Sequence, residues 1–383
     1  MPNQKESGGD RIIAVDALRV IVIFFMIMGH TSPFEDPPLS LGKDLDGATI
    51  LNQALRFIIP FFFVLAGYFW GAKVRQTGNA WKVSAPMVKG FLLLFVLWSL
   101  IYLLPVNLID SLQYGAAGPL KKFYWNVMFA LDHPIRTLAE GTMGHLWFLM
   151  AMVCALLISC ALVSLHMERT LLALAVVLYF IGVAGGAYSE TSIGFMSDLQ
   201  TRDGPFFGLL PFVLGYHLQK YTPTRAWFYA GSALTLAGFA LHFTELNYLA
   251  DHWGASWVQE YVFSTVLTGL GVALIALSNP PSLRLPRVAA LGPLVLGIYC
   301  SHYVFVEALW PLERRYGGHE VWDIGFVVIV FVLSLAASHL LGRFKWTRAL
   351  VMARTLRRKP SRPPTPPGAA LPPGFHNSAN GPL

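Results

Sequence analysis

An arginine and a histidine stand eleven positions apart in the first apolar run of the chain, at Arg19 and His30. At ~100° per residue, eleven steps bring both side chains to one face of a helix, with roughly 16 Å of axial rise between them. Ionisable side chains are expensive to keep inside a membrane, so this face is expected to contact protein or water. Imidazole has a pKa of about 6.5 and accepts a proton from a hydroxyl group, whereas a guanidinium binds anionic groups through a planar fork. The spacing therefore predicts a site with a base at His30 and an anion-binding group at Arg19.

Less specific interpretations apply to the same ionisable residues. Asp16 lies three residues before Arg19, a spacing that allows an ion pair within the helix. Asp16 and Arg19 would then anchor one end of the helix at the membrane surface, while His30 capped the other end. Arg56, in the second apolar run, either faces a protein-lined cavity or extends to the membrane surface. His145, just before the fourth run, is either an interfacial residue or part of the same site.

The composition predicts a membrane protein. Hydrophobic residues make up 55% of the chain, charged residues make up 13%, and the mean hydropathy is +0.53. Soluble domains carry roughly 25% charged residues, so the composition excludes an ordinary soluble protein. Apolar runs of about 20 residues are long enough to cross a bilayer. The sequence therefore predicts an all-α, polytopic integral membrane protein with about ten transmembrane helices. These runs are at 12–31, 50–71, 87–106, 145–165, 170–188, 204–219, 226–245, 257–278, 290–310 and 322–342.

The basic residues of the loops predict the orientation in the membrane. Most of the 28 Lys and Arg residues fall before the first run, in alternate loops and in the C-terminal segment. Cytoplasmic loops accumulate Lys and Arg, so both termini are predicted to be cytoplasmic. This distribution accounts for the net charge of +7 without a nucleic-acid partner, because the basic residues are spread along the membrane surface and lack interleaved aromatic residues.

The predicted organisation has one membrane domain and little else. The parts are a cytoplasmic N-terminus at 1–11, a ten-helix domain at 12–342, and a cytoplasmic tail at 343–383 that is basic and then Pro-rich, with disorder expected from about residue 360. The longest external stretch, about 107–144, contains an aromatic run at 123–131 that is too short to cross the membrane. We expect a short helix at the outer surface there.

Metal and disulfide chemistry are not expected from the sequence. Cys154, Cys160 and Cys300 fall in predicted helices and are expected to be small apolar side chains. The histidines of the apolar runs have no pair at i, i+3 or i, i+4 spacing, so a haem or metal site is a weak hypothesis.

Four short segments with polar residues follow one another along the predicted helices. They are Arg19-x10-His30, Phe-Phe-Phe-Val-Leu-Ala-Gly-Tyr at 61–68, His-Leu-Trp-Phe-Leu at 145–149 and Gly-Ile-Tyr-Cys-Ser-His at 297–302. In order and spacing they resemble the membrane acyltransferase type 3 family over roughly residues 11–342. The chain looks most similar to the branch of glucan succinyltransferases and exopolysaccharide O-acyltransferases. It departs from many members by lacking an R-x-x-R pair after the second helix and by having Phe148 where glycan acetyltransferases often have Ser.

The resemblance implies an enzyme of the inner (plasma) membrane. It would transfer an acyl group from cytoplasmic acetyl-CoA or succinyl-CoA to a hydroxyl of an envelope glycan or a related small molecule, without a bound cofactor or metal. Arg19 and His30 match the arginine and histidine regarded as essential in that family. Because ~16 Å separates them, we assign Arg19 to the donor and His30 to the reacting hydroxyl as general base. His145 is expected to bind the acceptor or act as a second base. The other candidate substrate-binding residues are Trp147, Arg56, Tyr68 and Asp16.

A transporter is the alternative class. A flippase for lipid-linked sugars or an exporter of polysaccharide would use the same polar helix face to line a substrate path, since intramembrane ionisable residues mark such paths as readily as active sites. Transfer of label from acyl-CoA to a glycan distinguishes the enzyme from a protein that moves the unmodified glycan across the bilayer.

Overall fold

The computed structural model describes residues 12–31, 33 and 46–352. The predicted cytoplasmic N-terminus at 1–11 and the disorder predicted from about residue 360 lie outside these residues. The described part of the chain holds helices and no β-strand, which confirms the predicted all-α class.

The helices follow one another with short connections. In chain order they are α1 (Ile13–Thr31), α2 (Gly47–Ala54), α3 (Ile58–Thr77), α4 (Ala80–Ile101), α5 (Leu108–Leu112), α6 (Gly118–Asp132), α7 (Pro134–Glu140), α8 (Trp147–Ser164), α9 (Glu168–Ala184), α10 (Pro205–Leu218), α11 (Arg225–Trp253), α12 (Thr265–Leu277), α13 (Pro286–Ala289), α14 (Val295–Tyr316) and α15 (Glu320–Arg343). Short 3₁₀ turns are at Leu55–Phe57, Gly144–Leu146, Pro281–Leu283, Gly292–Leu294 and Arg348–Leu350.

Six helical segments of the described chain are long and apolar enough to cross a membrane. They are Ile13–Thr31, Gly47–Thr77, Ala80–Ile101, Gly144–Ser164, Pro286–Tyr316 and Val321–Arg343. The other four predicted spans are also helical, as α9, α10, α11 and α12. However, α10 and α12 have only 14 and 13 residues, against about 20 for a full crossing. Length and composition thus identify six spans, and the predicted number of ten is not confirmed.

The second predicted span, 50–71, is interrupted near its beginning. α2 ends at Ala54, the 3₁₀ turn follows at Leu55–Phe57, and α3 begins at Ile58. Pro60 gives the physical reason, because proline has no N–H group and its ring clashes with the carbonyl four residues earlier, that of Arg56. The interruption places Arg56 on a turn rather than within a continuous helix.

α3 makes its most extensive interface with α10. Gly67 on α3 faces the backbone of Phe212, and Gly215 on α10 faces the backbone of Val64, so neither position has room for a Cβ atom. Small residues allow helices in membranes to approach this closely. The close contact fixes α3, which carries several cavity residues, against the rest of the bundle.

α1 packs against α12, α13, α14 and α15. Arg19, Ile23, Met26 and His30 follow one another at spacings of four, three and four residues, which puts them on one face of this helix. All four line cavities within the bundle. The predicted common face of Arg19 and His30 is therefore confirmed.

α5, α6 and α7 connect α4 to α8 and form a helical segment, 108–140, at one end of the bundle. The short helix predicted at 123–131 is confirmed within α6, where Tyr124, Trp125 and Phe129 are exposed. An ion pair between Asp110 of α5 and Arg314 ties this segment to α14.

Candidate active site

A polar cavity of about 300 Å³ is lined by several ionisable side chains from distant parts of the chain. α1 contributes His30, the turn before α3 contributes Arg56, and the turn before α8 contributes His145. The other residues with polar side chains that line it are Asn52, Trp147, Arg202, Glu260 and Tyr303. Segments more than 250 residues apart in the chain thus meet around one cavity, which we call the polar cavity.

Three imidazole rings and one phenol ring form a chain of ring contacts beside this cavity. The ring centroids of His30 and His302 are 5.3 Å apart, and those of His145 and His302 are 4.9 Å apart. Tyr303 stacks on His145 at 4.6 Å and contacts His30 edge-on at 5.1 Å. His30 is exposed, whereas His145 and His302 are buried. Of the three imidazoles, His30 is therefore the one with an exposed side chain.

Hydrogen bonds assign different roles to these rings. The Nδ1 atom of His302 lies 2.7 Å from the carbonyl oxygen of Tyr299, and because a carbonyl only accepts, Nδ1 carries the proton and Nε2 carries the lone pair. The Tyr303 hydroxyl lies 3.2 Å from Nδ1 of His30. Within the described residues, both ring nitrogens of His145 and Nε2 of His302 are buried without a hydrogen-bond partner. A neutral imidazole has one donor and one acceptor, so His145 has both available.

The backbone holds this cluster in position. The Tyr299 hydroxyl donates a hydrogen bond to the carbonyl oxygen of His145, and the Tyr102 hydroxyl donates one to the carbonyl of Cys300 at 2.7 Å. These two bonds join α14 to the turn before α8 and to α4. In the described part of the chain, no group of three or more His, Cys, Asp or Glu side chains has the arrangement to hold a metal ion.

A network of ion pairs forms one wall of the polar cavity. The Glu260 carboxylate binds Arg56 at 2.9 Å through one oxygen and Arg202 at 2.6 Å through the other. Arg202 also lies 3.6 Å from Glu140, and its guanidinium carbon is 5.8 Å from the centre of the Trp147 ring. The Nε atoms of Arg56 and Arg202 are buried without a hydrogen-bond partner among the described residues. The wall thus presents fixed positive and negative groups with unused N–H donors.

Behind this wall, Asp203 lies against Arg202 and Glu140. Burial, with the negative charge of Glu140 adding to its effect, raises the pKa of the Asp203 carboxyl to about 7, although Arg202 acts in the opposite direction. Glu140 is only 2% exposed and also pairs with Arg136 at 3.2 Å. A carboxyl group that titrates near neutral pH therefore adjoins the ionic wall.

A second cavity, of about 220 Å³, lies beside the first and is almost entirely apolar. Among the described residues, Arg19 is the one charged residue that lines it. Met26, Ile58 and Ile59 line both cavities, so the two spaces are neighbours at these side chains. The apolar cavity and the polar cavity together follow the face of α1 that carries Arg19 and His30.

Arg19 and Asp16 form the ion pair that their spacing predicts, with a distance of 3.5 Å between Nη1 and Oδ1. The Arg19 side chain remains 34% exposed, so the pair does not remove it from the apolar cavity. Tyr68 lines neither of the two cavities and packs instead on the hydrophobic core. Of the candidate residues, His30, His145, Trp147 and Arg56 come together at the polar cavity, Arg19 and Asp16 lie at the other end of α1, and Tyr68 stands apart.

Four site residues were not identified from the sequence: Tyr303, Arg202, Glu260 and Glu140. Arg202 and Glu260 looked like ordinary loop charges. Their one sequence signal is that each lies within a few residues of an apolar helix, next to Pro205–Leu218 and Thr265–Leu277. His302 was part of a recognised segment but had no assigned role.

Comparison with known families identifies the class. The family model described as an acyltransferase domain matches residues 12–343, which is most of the chain. The chain therefore belongs to the acyltransferase type 3 family, and its helical bundle is an acyltransferase domain.

Curated relatives are more distant. Two proteins named amino-acid racemase, both from Enterococcus faecalis, are 28% identical over 224 residues and 25% identical over 185 residues. The matches cover 55% and 46% of this chain but only 28% and 23% of the relatives. The chain thus spans about a quarter of the length of these relatives. No solved structure matches the chain significantly.

Proposed function

We propose that this chain is an O-acyltransferase of the inner (plasma) membrane that moves an acetyl or succinyl group from cytoplasmic acyl-CoA to a hydroxyl of an envelope glycan or a related small molecule. One observation carries the proposal. The apolar cavity that begins at Arg19 and the polar cavity that contains His30 share Met26, Ile58 and Ile59, along one face of α1. This arrangement matches the two ends of a long, narrow thioester donor.

The donor would enter from the Arg19 end, which the loop charges assign to the cytoplasmic side. Arg19 binds an anionic or carbonyl group of the coenzyme A moiety through its planar guanidinium. The thin arm of the coenzyme lies in the apolar cavity, and the thioester reaches the side chains shared with the polar cavity. Binding energy from this arm positions the thioester carbonyl, which lowers the entropic cost of the reaction.

At the other end, His30 acts as general base. It takes the proton of the acceptor hydroxyl while the hydroxyl oxygen attacks the thioester carbonyl carbon. The tetrahedral intermediate then expels the coenzyme A sulfur, the carbon–sulfur bond breaks, and protonated His30 returns the proton to the sulfur. The products are an ester of the acceptor and free coenzyme A. The unpartnered N–H of His145 is suited to hydrogen-bond the oxyanion or the acceptor.

The ionic wall is suited to the acceptor side. Arg56, Arg202 and Glu260 offer donors and acceptors in fixed positions, and the ring of Trp147 adds an apolar surface beside them. A sugar presents hydroxyl groups and apolar C–H faces, so the wall fits its chemistry. Arg56 also lies where a distal carboxylate of a succinyl group would find a cation.

The test uses membranes that contain the protein, acyl-labelled acetyl-CoA or succinyl-CoA, and an envelope glycan extract. His30→Gln keeps hydrogen bonding but removes the base, so labelled product should fall by ~10²–10⁴-fold at normal protein abundance. His252→Gln is the matched control, because His252 is exposed on α11 and bonds to the carbonyl of Tyr248.

Two results would reject the proposal. One is normal product labelling by a folded His30→Gln variant. The other is movement of unmodified glycan across sealed membranes without any acyl-CoA-dependent labelling, which would support the transporter.

A further inference from the structure

A third cavity, of about 160 Å³, lies beneath the α5–α7 segment. Its walls come from α6 and α7, from the end of α4 and from α14. Met143 lines both this space, which we call the hairpin cavity, and the polar cavity. The hairpin cavity is therefore a direct neighbour of the space that contains His30.

Two opposite charges line the hairpin cavity without contacting each other. Lys122 of α6 and Glu307 of α14 both line it, and neither makes an ion pair within 4 Å among the described residues. By contrast, Asp110 and Arg314, from the neighbouring parts of α5 and α14, do form such a pair. A hydroxyl group donates one hydrogen bond and accepts others, so a hydroxylated neutral molecule satisfies both charges, whereas a cation or an anion is repelled by one of them.

The remaining lining is partly apolar, and its polar side chains include Asn126, Thr137 and Thr142, which hydrogen bonds hold in place. Asn126 donates a hydrogen bond from Nδ2 to the carbonyl of Leu103 at 3.1 Å, which leaves its Oδ1 atom as an acceptor. The hydroxyls of Thr137 and Thr142 donate to the carbonyls of Ala130 and Ser99, which fixes their side chains. The hairpin cavity thus offers the Oδ1 acceptor of Asn126, the partly buried carboxylate of Glu307 and the ammonium group of Lys122, which is exposed to solvent.

We propose that the hairpin cavity is a second acceptor subsite, which binds the sugar unit next to the one that reacts at His30. The proposal rests on the proposed acyl transfer for the position of the reacting unit. It specifies the acceptor class further, as a neutral oligosaccharide of at least two units that passes Met143. A single sugar occupies only the polar cavity and gains no binding energy from contacts with Lys122, Glu307 or Asn126.

The subsite is tested by protection of a thiol in the purified full-length protein. Phe129 lines the hairpin cavity, is 51% exposed and has no polar group, so Phe129→Cys introduces a reactive thiol without removing a proposed contact. Its rate of labelling by a maleimide is measured with glucose or with a linear glucose tetrasaccharide at equal molar concentration. The wild type gives the background from the native cysteines, and Ser197→Cys, at an exposed loop position, is the control for non-specific effects.

We expect the tetrasaccharide, but not glucose, to slow labelling at residue 129 severalfold, with no change at residue 197. When Glu307→Gln is combined with Phe129→Cys, the tetrasaccharide concentration needed for the same protection should rise by about tenfold or more, because a hydrogen bond to a charged group is lost. Equal protection by both sugars, no protection, or an unreactive thiol at residue 129 would each overturn the subsite.

Acyl transfer from labelled acetyl-CoA to the same sugars is measured separately on the same preparations. Protection that depends on sugar length, without acyl transfer, would support the subsite and contradict the proposed acyltransferase activity. Acyl transfer without protection that depends on sugar length would support the acyltransferase activity and contradict the subsite.

Discussion

Among the described residues, Tyr303 is in hydrogen-bond contact with the proposed base, since its hydroxyl lies 3.2 Å from Nδ1 of His30. When Nδ1–H donates to the phenol oxygen, Nε2 of His30 keeps the lone pair that a base requires. We therefore predict that Tyr303 positions the His30 ring, and that it accepts rather than donates in this hydrogen bond, since a phenol can do either.

Tyr303→Phe should consequently lower kcat by up to about tenfold, the worth of one hydrogen bond, with a smaller change in KM for either substrate. Steady-state kinetics on membranes with equal protein abundance would measure this. Tyr229→Phe, at a position of α11 that is 70% exposed, serves as the control. A kcat equal to that of the wild type would show that Tyr303 has only a packing role.

At Arg19, substitutions can separate the effect of the positive charge from the effect of the planar guanidinium geometry. A lysine keeps the positive charge but loses the planar fork, so Arg19→Lys should weaken acyl-CoA binding more than it slows the bound complex. The measurement is acyl-CoA affinity in Arg19→Lys and in the exchange Asp16→Arg with Arg19→Asp. If affinity is unchanged in both variants, Arg19 only pairs with Asp16 and has no donor role.

At the scale of helices, α1 and α14 carry the cluster of His30, His302 and Tyr303, and the segments that precede α3, α10 and α12, with the end of α7, carry the ionic wall. α1 presents Arg19 and His30 on one face, and α14 brings His302 and Tyr303 against that face. The loop that precedes α10 places Arg202 and Asp203 against Glu140 at the end of α7. Ion pairs among the connecting segments and the end of α7 therefore form this wall of the polar cavity.

Asp203, in the loop before α10, makes the stability of the folded protein depend on pH. Burial beside Glu140 raises its pKa from the ordinary 3.8 to about 7, so the folded protein keeps the proton while the unfolded chain loses it between these values. The contribution of Asp203 to stability is therefore fully present below about pH 4, falls as the pH rises to about 7, and stays constant above it. Asp203→Asn should therefore reduce the loss of stability between about pH 4 and pH 7.

Thermal unfolding of purified wild type and Asp203→Asn from pH 5 to pH 8 would measure the difference. Asp198→Asn, at an exposed position of the same loop, is the control. Parallel curves for wild type and Asp203→Asn would contradict the assignment.

At the scale of the whole molecule, the loop charges predict which loops lie on each side of the membrane. Because Lys and Arg concentrate in alternate loops, accessible cysteines placed after residues 78 and 282 should be cytoplasmic, and those after residues 115 and 252 should be external. Labelling of sealed cells with a membrane-impermeant thiol reagent measures the four positions. External labelling at residue 282 would reject the ten-helix topology.

The sequence alone determined the all-helical membrane class and the common face of Arg19 and His30. Both follow from short-range rules: apolar runs fold as helices because lipid offers the backbone no hydrogen bonds, and eleven residues make three turns. The ion pair between Asp16 and Arg19 is predictable for the same reason, since three residues separate its members. The family could be inferred because its motifs are contiguous stretches of the chain.

Only the tertiary structure decided which other residues meet His30. Tyr303 is 273 positions away along the chain, and Glu260 is 204 positions from Arg56, so no local pattern connects either pair. In the structure, Tyr68 likewise lies away from both cavities, and His145 is buried inside the bundle rather than exposed at its rim. Helix periodicity fixes which way a side chain points from its own axis, whereas contacts between distant helices depend on how all the helices pack, and that packing is a property of the complete fold.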